Sequence, residues 1–286
     1  MYHIEGIYHP CTGSDEACRI LTESGHPLEN SIRVAQVRVL PEKGNLQGNF
    51  QALTFVLDQL EDESFDVLIT PECFLDGYVV TETSVSAAAL LNYAIDPHKS
   101  PYTQALAAWA SRRGVWVIFG CTRRVSEGAY NTALIMNRAG VLVDLYDKTH
   151  LLTHDVKYAA GQRLPVFSSD FGPFGVMICA DRRWPETVRT LALKGARVIF
   201  NPTYGMHDER NLCMMRTRSY ESEIAIAFTH PQQSLVTGAN GEILCNEVCS
   251  DKTYSITEID LARVDARRDV ASRSHLTTRR TDLYID

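Results

Sequence analysis

Three short apolar runs in this chain of 286 residues each lead to one chemically active side chain, and that repetition narrows the folds open to it. Val67-Leu68-Ile69-Thr70 leads to Glu72, Val141-Leu142-Val143-Asp144-Leu145-Tyr146 to Lys148, and Phe174-Gly175-Val176-Met177-Ile178 to Cys179. Such runs, rich in β-branched and aromatic residues, are too short for helices and read as strands, the uninterrupted ones as strands buried on both faces. Further strands are expected near residues 32–40, 115–120, 198–200, 224–228 and 254–259. Between them lie segments with apolar residues at helical spacing, near 46–60, 101–113, 185–194 and 208–223, and residues 81–95 are also expected to be helical up to the break at Asp96-Pro97. Strand, helix, strand in succession describes a layered α/β protein. Runs 131–136 and 141–146 flank the turn Asn137-Arg138-Ala139-Gly140, and 234–236 and 242–244 flank Gly238-Ala239-Asn240-Gly241. Both read as hairpins, so the sheet is expected to be mixed.

Composition excludes several function classes. No apolar stretch approaches the roughly 18 residues of a membrane span. Residues 1–30 lack the basic start and apolar centre of a secretory signal, so a cytoplasmic location is expected. A net charge of −7 without a basic stripe argues against nucleic acid as a partner. The eight cysteines are scattered, which is not a disulfide scaffold. Cys11 and Cys18, with His3, His9 and His26 nearby, form only a loose grouping of metal-ligand types, Cys245 lies close to Cys249, and no CxxC occurs; no metal is assigned. Residues 1–30 are polar and turn-rich and read as an irregular extension. Residues 31–286 read as one domain whose end, from Ala266, is an Arg-rich arm.

Cys179 sits where a strand turns into a helix, since Pro185 occupies a probable first helical position. The N–H groups of a helix start favour a thiolate, and turn geometry is expected to lift the sulfur toward solvent or substrate. Glu72 and Lys148 occupy the same kind of place, past the carboxyl end of a strand, where open α/β sheets bind ligands. A carboxylate, an ammonium and a thiol meeting there are the parts needed to activate a nucleophile, move its proton and hold an oxyanion. The structural alternatives are a surface ion pair of Lys148 with Asp147 and a helix-capping role for Glu72.

These stretches resemble the nitrilase, or carbon–nitrogen hydrolase, superfamily. Thr70-Pro71-Glu72-Cys73-Phe74-Leu75-Asp76-Gly77-Tyr78 is similar to its glutamate motif. Tyr130-Asn131-Thr132-Ala133 and Tyr146-Asp147-Lys148-Thr149-His150-Leu151 are similar to its lysine region. Residues 174–186 resemble its nucleophile motif, and residues 195–202 and Asp282-Leu283-Tyr284 resemble further segments. The resemblance implies a four-layer α-β-β-α sandwich with two mixed sheets and a covalent mechanism. Cys179 would be the nucleophile, Glu72 the general base, and Lys148 with the Ala180 N–H the oxyanion holder. No cofactor is needed for that chemistry. It also implies a homodimer or larger homo-oligomer. Many members carry a second glutamate after the lysine; here Asp155, one methylene shorter, takes that place, with His154 as competitor. Cys-x-Asp-Arg-Arg-Trp-Pro-Glu, Cys179 to Glu186, is similar to the N-carbamoyl-D-amino-acid amidohydrolase branch, and Arg182 and Arg183 would then clamp a substrate carboxylate. The Cys-Trp-Glu-Asn form of true nitrilases is absent. The expected function is hydrolysis of a small linear amide or N-carbamoyl compound; a nitrilase, an acyl-transferring relative or a catalytically weak binding subunit are the alternatives.

Overall fold

The computed structural model describes residues 30–126, 128–248 and 251–284. The N-terminal extension, with its loose Cys and His grouping, and Cys249 therefore lie outside the described residues. Among the cysteines that are described, Cys73, Cys121, Cys179, Cys213 and Cys245 are free thiols.

In chain order the elements are β1 (Ser31–Val37), α1 (Leu46–Gln59), β2 (Val67–Ile69), α2 (Ala87–Leu90), α3 (Pro101–Arg113), β3 (Trp116–Val125), β4 (Gly128–Met136), β5 (Leu142–Asp147), β6 (Val166–Phe167) and β7 (Phe174–Val176). They continue with α4 (Pro185–Leu193), β8 (Val198–Pro202), α5 (Glu209–Ser222), β9 (Ala225–His230), β10 (Gln233–Thr237), β11 (Ile243–Val248), β12 (Tyr254–Asp260) and α6 (Leu261–Asp269). Two six-stranded sheets result, ordered β12-β1-β2-β3-β4-β5 and β11-β10-β9-β8-β7-β6. Each has three parallel strands at its centre, β1, β2, β3 and β7, β8, β9, with antiparallel partners outside. Both expected hairpins, β4–β5 and β10–β11, are present and both sheets are mixed.

Period-two alternation sorts each strand between two apolar layers. Ile32 and Val34 of β1 face the second sheet, joining Val67, Ile69, Ile118, Phe174, Val176, Val198 and Phe200 between the sheets. Ala35 and Val37 of the same strand face outward onto Leu53, Val56, Leu106 and Trp109 of α1 and α3. On the far side Ile199, Ile226 and Phe228 meet Val188, Leu191 and Met215 of α4 and α5. The order is helix, sheet, sheet, helix. Strands buried on both faces explain the uninterrupted apolar runs.

The helix starts follow local chemistry. Asn45 accepts the Gly48 N–H at 2.9 Å to cap α1, Asp208 caps α5, and Pro101 and Pro185 open α3 and α4.

Two expectations need correction. Residues 81–95 contain only a 3-10 turn at Val79–Thr81 and the single helical turn α2. Thr81, Thr83, Ser84, Val85 and Ser86 explain this, because hydroxyls compete for the backbone and β-branched side chains crowd a helix. The arm expected from Ala266 begins instead inside α6, capped by Asp260, whose side chain accepts the Arg263 N–H at 3.2 Å.

One close approach locks the end of β2 onto β3. A Cβ at Gly120 would lie 2.2 Å from the Pro71 carbonyl oxygen and 2.9 Å from the Cys73 nitrogen, the two neighbours of Glu72. Gly120→Ala is expected to lower stability by about 1–3 kcal/mol through overpacking against backbone. It should also reduce any activity that depends on Glu72, measured by urea unfolding alongside steady-state kinetics.

Candidate active site

The segment after β2 is a tight, over-determined turn. The Thr70 hydroxyl accepts the Gly120 N–H at 2.9 Å, and Asp76 accepts the N–H groups of Thr122 and Val79 at 3.0 and 3.2 Å. Cys73 and Tyr78 adopt φ of 45° and 57°. Left-handed non-glycine residues of this kind cost about 1–3 kcal/mol each and gather at functional sites.

Held by this turn, Glu72 is fully buried. Its Oε1 accepts the Lys148 ammonium at 2.8 Å and the Asn131 amide at 2.7 Å, and its Oε2 accepts the Tyr204 N–H at 3.0 Å.

Lys148, just past β5, is likewise fully buried. Its Nζ also donates to Asp155 Oδ2 at 2.8 Å and to the Tyr78 hydroxyl at 3.3 Å. Asp155 sits on a 3-10 turn, Thr153–Asp155, and its Oδ1 accepts the Tyr78 O–H at 2.5 Å. The ammonium thus has a carboxylate on either side. Burial alone would push Lys148 down, but Glu72, then Cys179 and Asp155, hold its pKa above the ordinary lysine value. His154 is half exposed, 3.8 Å from Asp155, so Asp155 and not His154 reaches the lysine. Asp147 pairs with Arg123 at 2.6 Å and leaves Lys148 to the interior.

Cys179 also has a left-handed φ of 45°, where β7 passes into the 3-10 turn Cys179–Arg183. The residue is only 5% exposed, so of the two directions expected for the sulfur, solvent or substrate, it does not take the first. Burial, then Glu72, raises the thiol pKa, while Arg182, Lys148 and the Gly205 N–H oppose the rise. The helix start does not win, and the resting group is a thiol beside a carboxylate. Ala180, fully buried, follows on the first turn, where a helical N–H has no partner within its own helix.

Asp181 ties the lysine segment to the nucleophile turn. It accepts the Ile178 N–H at 2.9 Å, the Tyr146 hydroxyl at 2.7 Å, and the Thr149 hydroxyl and His150 N–H at 2.9 Å each. The His150 ring lies 2.8 Å from the same carboxylate and stacks on Trp184 at 4.2 Å.

The two arginines do not form a clamp. Arg182 is buried and donates from Nε to Asn211 at 2.7 Å, from Nη2 to the Met206 carbonyl at 2.6 Å, and from Nη1 to the carbonyl of Cys179. Its fork is committed to bracing the nucleophile turn. Arg183 is exposed, and its carbonyl accepts from Arg218 at 2.9 Å. Residues that sequence reasoning gave no role, Asn131, Tyr78, Tyr204 and Asp181, fill the contacts instead; Asn131, Tyr78 and Asp181 lay inside motifs already singled out, and Tyr204 did not.

A cleft of about 660 Å³ lies over the 204–208 loop, lined by Leu40, Tyr204, Gly205, His207, His230 and Val248 among others. Among the described residues no group of three or more His, Cys, Asp and Glu is placed to hold a metal ion. Nor is any helix among them long and apolar enough to cross a membrane.

The model of the family described as carbon-nitrogen hydrolase matches residues 32–269. The chain belongs to the carbon–nitrogen hydrolase family. A relative described as a hydrolase in the pqqF 5' region of Pseudomonas protegens is 29% identical, with 98% of each chain covered. Omega-amidase NIT3 of Saccharomyces cerevisiae is 24% identical, over 91% of this chain and 97% of its own. Two solved carbon–nitrogen hydrolase folds align closely. A carbon–nitrogen hydrolase from Helicobacter pylori has a TM-score of 0.78 at 19% identity, covering 89% of this chain and 97% of its own. An amidase from Nesterenkonia sp. has a TM-score of 0.71 at 22% identity, covering 90% and 96%. This chain is accordingly an enzyme of the nitrilase superfamily that acts on carbon–nitrogen bonds.

Asp76, beneath the glutamate turn, yields a pH test. Burial raises its pKa from 3.8 to about 7, against the opposing hydrogen bonds from Thr122 and Val79. The folded state therefore keeps a proton that the unfolded chain has already lost between pH 4 and pH 7. Stability from this group is full below pH 4 and is lost as pH rises through 7, by an amount on the order of a few kcal/mol. Subtracting the profile of Asp76→Asn, measured by urea unfolding from pH 4 to 8, should isolate this single falling step.

Proposed function

We propose that the protein hydrolyses the amide bond of a small linear amide through a thioester on Cys179, releasing ammonia and a carboxylic acid. The observation that carries this reading is the joining of Glu72, Lys148 and Asp155 by two 2.8 Å ion pairs in a fully buried cluster, of which Glu72 and Lys148 both act on the buried Cys179 thiol. In the first step the sulfur attacks the carbonyl carbon as Glu72 takes the thiol proton. The oxygen, gaining negative charge, is held by the Lys148 ammonium and the Ala180 N–H. The carbon–nitrogen bond then breaks, with Glu72 returning the proton to the departing amine. Water attacks the thioester in the second step, Glu72 taking its proton, and the acid leaves with the thiol restored. A base is needed at the outset because burial keeps Cys179 protonated. Asp155 acts on Lys148, fixing its ammonium from the side opposite Glu72.

The domain responsible is residues 31–286 with its C-terminal arm. The enzyme works in the cytoplasm as a homodimer or larger homo-oligomer, by analogy with what the motifs imply. N-carbamoyl substrates lose favour, since that reading leaned on a carboxylate clamp of Arg182 and Arg183, and Arg182 is occupied internally.

A panel of short linear amides, N-carbamoyl amino acids and nitriles, assayed for ammonia, tests the reading. Linear amides should turn over at least about tenfold faster than the other two classes, a difference of only ~1.4 kcal/mol in transition-state binding. Cys179→Ala should lower kcat by at least about 10⁴-fold, as nucleophile removal does elsewhere. Ammonia release that survives Cys179→Ala, or release from ureido compounds alone, would overturn the proposal.

A further inference from the structure

The peptide between Tyr204 and Gly205 is gripped from both ends. Its N–H, on Gly205, is close enough to the Cys179 sulfur to act against the rise of the thiol pKa. A Cβ on Gly205 would come within 3.5 Å of that sulfur, so chain and nucleophile are in close contact. Its C=O, on Tyr204, accepts a hydrogen bond from Nε2 of His230 at 2.8 Å. The preceding N–H, on Tyr204, is the donor to Glu72 Oε2 at 3.0 Å. One short loop therefore presents consecutive N–H groups to the general base and to the nucleophile. The side chain that fixes it comes from β9.

His230 suits this task. It is 4% exposed, and its Nδ1 accepts the Gln232 N–H at 3.0 Å, which leaves the ring proton on Nε2, facing Tyr204. Burial, then the neighbouring His207 ring, lowers its pKa to about 4, and the Tyr204 carbonyl only partly offsets this, so the ring is neutral where amides are hydrolysed. His207 stacks on it at 4.1 Å, Phe228 lies parallel at 6.3 Å, and Arg182 is the charged group nearby.

We propose that His230 is a positioning residue for the hydrolytic reaction: by hydrogen-bonding the Tyr204 carbonyl it orients and polarises the Tyr204–Gly205 peptide, whose N–H stabilises the Cys179 thiolate. The physical basis is cooperativity. An amide whose oxygen accepts a hydrogen bond is a stronger donor at its nitrogen, and the effect is larger where water is excluded. A clamped peptide also needs no reorganisation when charge appears on sulfur. The inference rests on the reading of Cys179 as nucleophile. His230 makes no hydrogen bond to the sulfur and acts on it through the peptide.

Two substitutions separate this role from packing. His230→Phe keeps the bulk and removes the donor, whereas His230→Gln places an amide N–H near the position of Nε2. The readout is the pH dependence of Cys179 alkylation by iodoacetamide, followed on the Cys179 peptide by mass spectrometry. Kinetics on a short linear amide run alongside. Glu72, Arg182 and Lys148 are the ionisable groups that act on Cys179, and all remain in both variants. In His230→Phe the alkylation profile should move to higher pH and kcat should fall about tenfold with KM nearly unchanged, the loss of roughly one hydrogen bond. His230→Gln should restore both to within about threefold, under 1 kcal/mol. If His230→Phe does not fold, His230→Asn replaces it, being too short to reach Tyr204. Unchanged alkylation in the donor-less variant, or an equal loss in His230→Gln, would overturn the inference. Failure of the nucleophile reading would appear separately, as full activity in Cys179→Ala.

Discussion

The Lys148 ammonium, buried between the carboxylates of Glu72 and Asp155, is the interaction on which the rest depends. An ammonium or carboxylate removed from water is disfavoured by several kcal/mol unless partners replace the lost hydration. Here they do: Glu72 and Asp155 for the amine, Asn131 and the Tyr204 N–H for Glu72, and Tyr78 for Asp155. Glu72 and Tyr78 share the turn after β2, Asn131 lies within β4, Lys148 and Asp155 follow β5, and Tyr204 follows β8. The cluster closes only when the segments after β2 and β5, β4 itself and the segment after β8 of the second sheet come together. Folding and assembly of the site are thus one event. Removing any single charge would strand its partners in the interior.

The same dryness sets the chemistry. A thiol beside a carboxylate and under little solvent stays protonated, so reactivity waits for a proton acceptor and an electrophile to arrive together. Buried cationic and N–H groups then meet a negative charge that develops at sulfur and oxygen, with no water to screen it. The left-handed backbone at Cys179 is part of this arrangement. It accompanies the placing of Cys179 in the apolar layer between the sheets, where the thiol feels Glu72.

Much of this was legible in the sequence because it is written locally. Strands buried on both faces leave uninterrupted apolar runs, and Glu72, Lys148 and Cys179 stood out by ending three of them. Pro185 marked a helix start because its fixed φ suits the first helical position. What was not legible depends on distant partners or on turn type. Arg182 and Arg183 look like a paired clamp in one dimension, but successive residues of a 3-10 turn point about 120° apart, so one goes inside and the other to solvent. The thiolate expected from a helix start failed because the sulfur is buried and because it feels the charge of Glu72, 107 positions earlier in the chain. β12 pairs with β1 across more than 200 residues, a return that no local pattern announces. His230, one histidine in an apolar strand, carries no signal distinguishing it from an ordinary core residue.

The central claim is that the carboxylate-flanked ammonium enables acyl transfer to Cys179. The most direct measurement is the stopped-flow burst of 4-nitrophenolate from 4-nitrophenyl acetate, in the wild type and in folded Lys148→Gln. The account predicts one equivalent per chain, bound as acetyl on the Cys179 peptide. It also predicts a burst at least about 10²-fold slower in the variant, the effect of losing one oxyanion donor. Equal burst rates in the two proteins, or acetyl found elsewhere than Cys179, would contradict it.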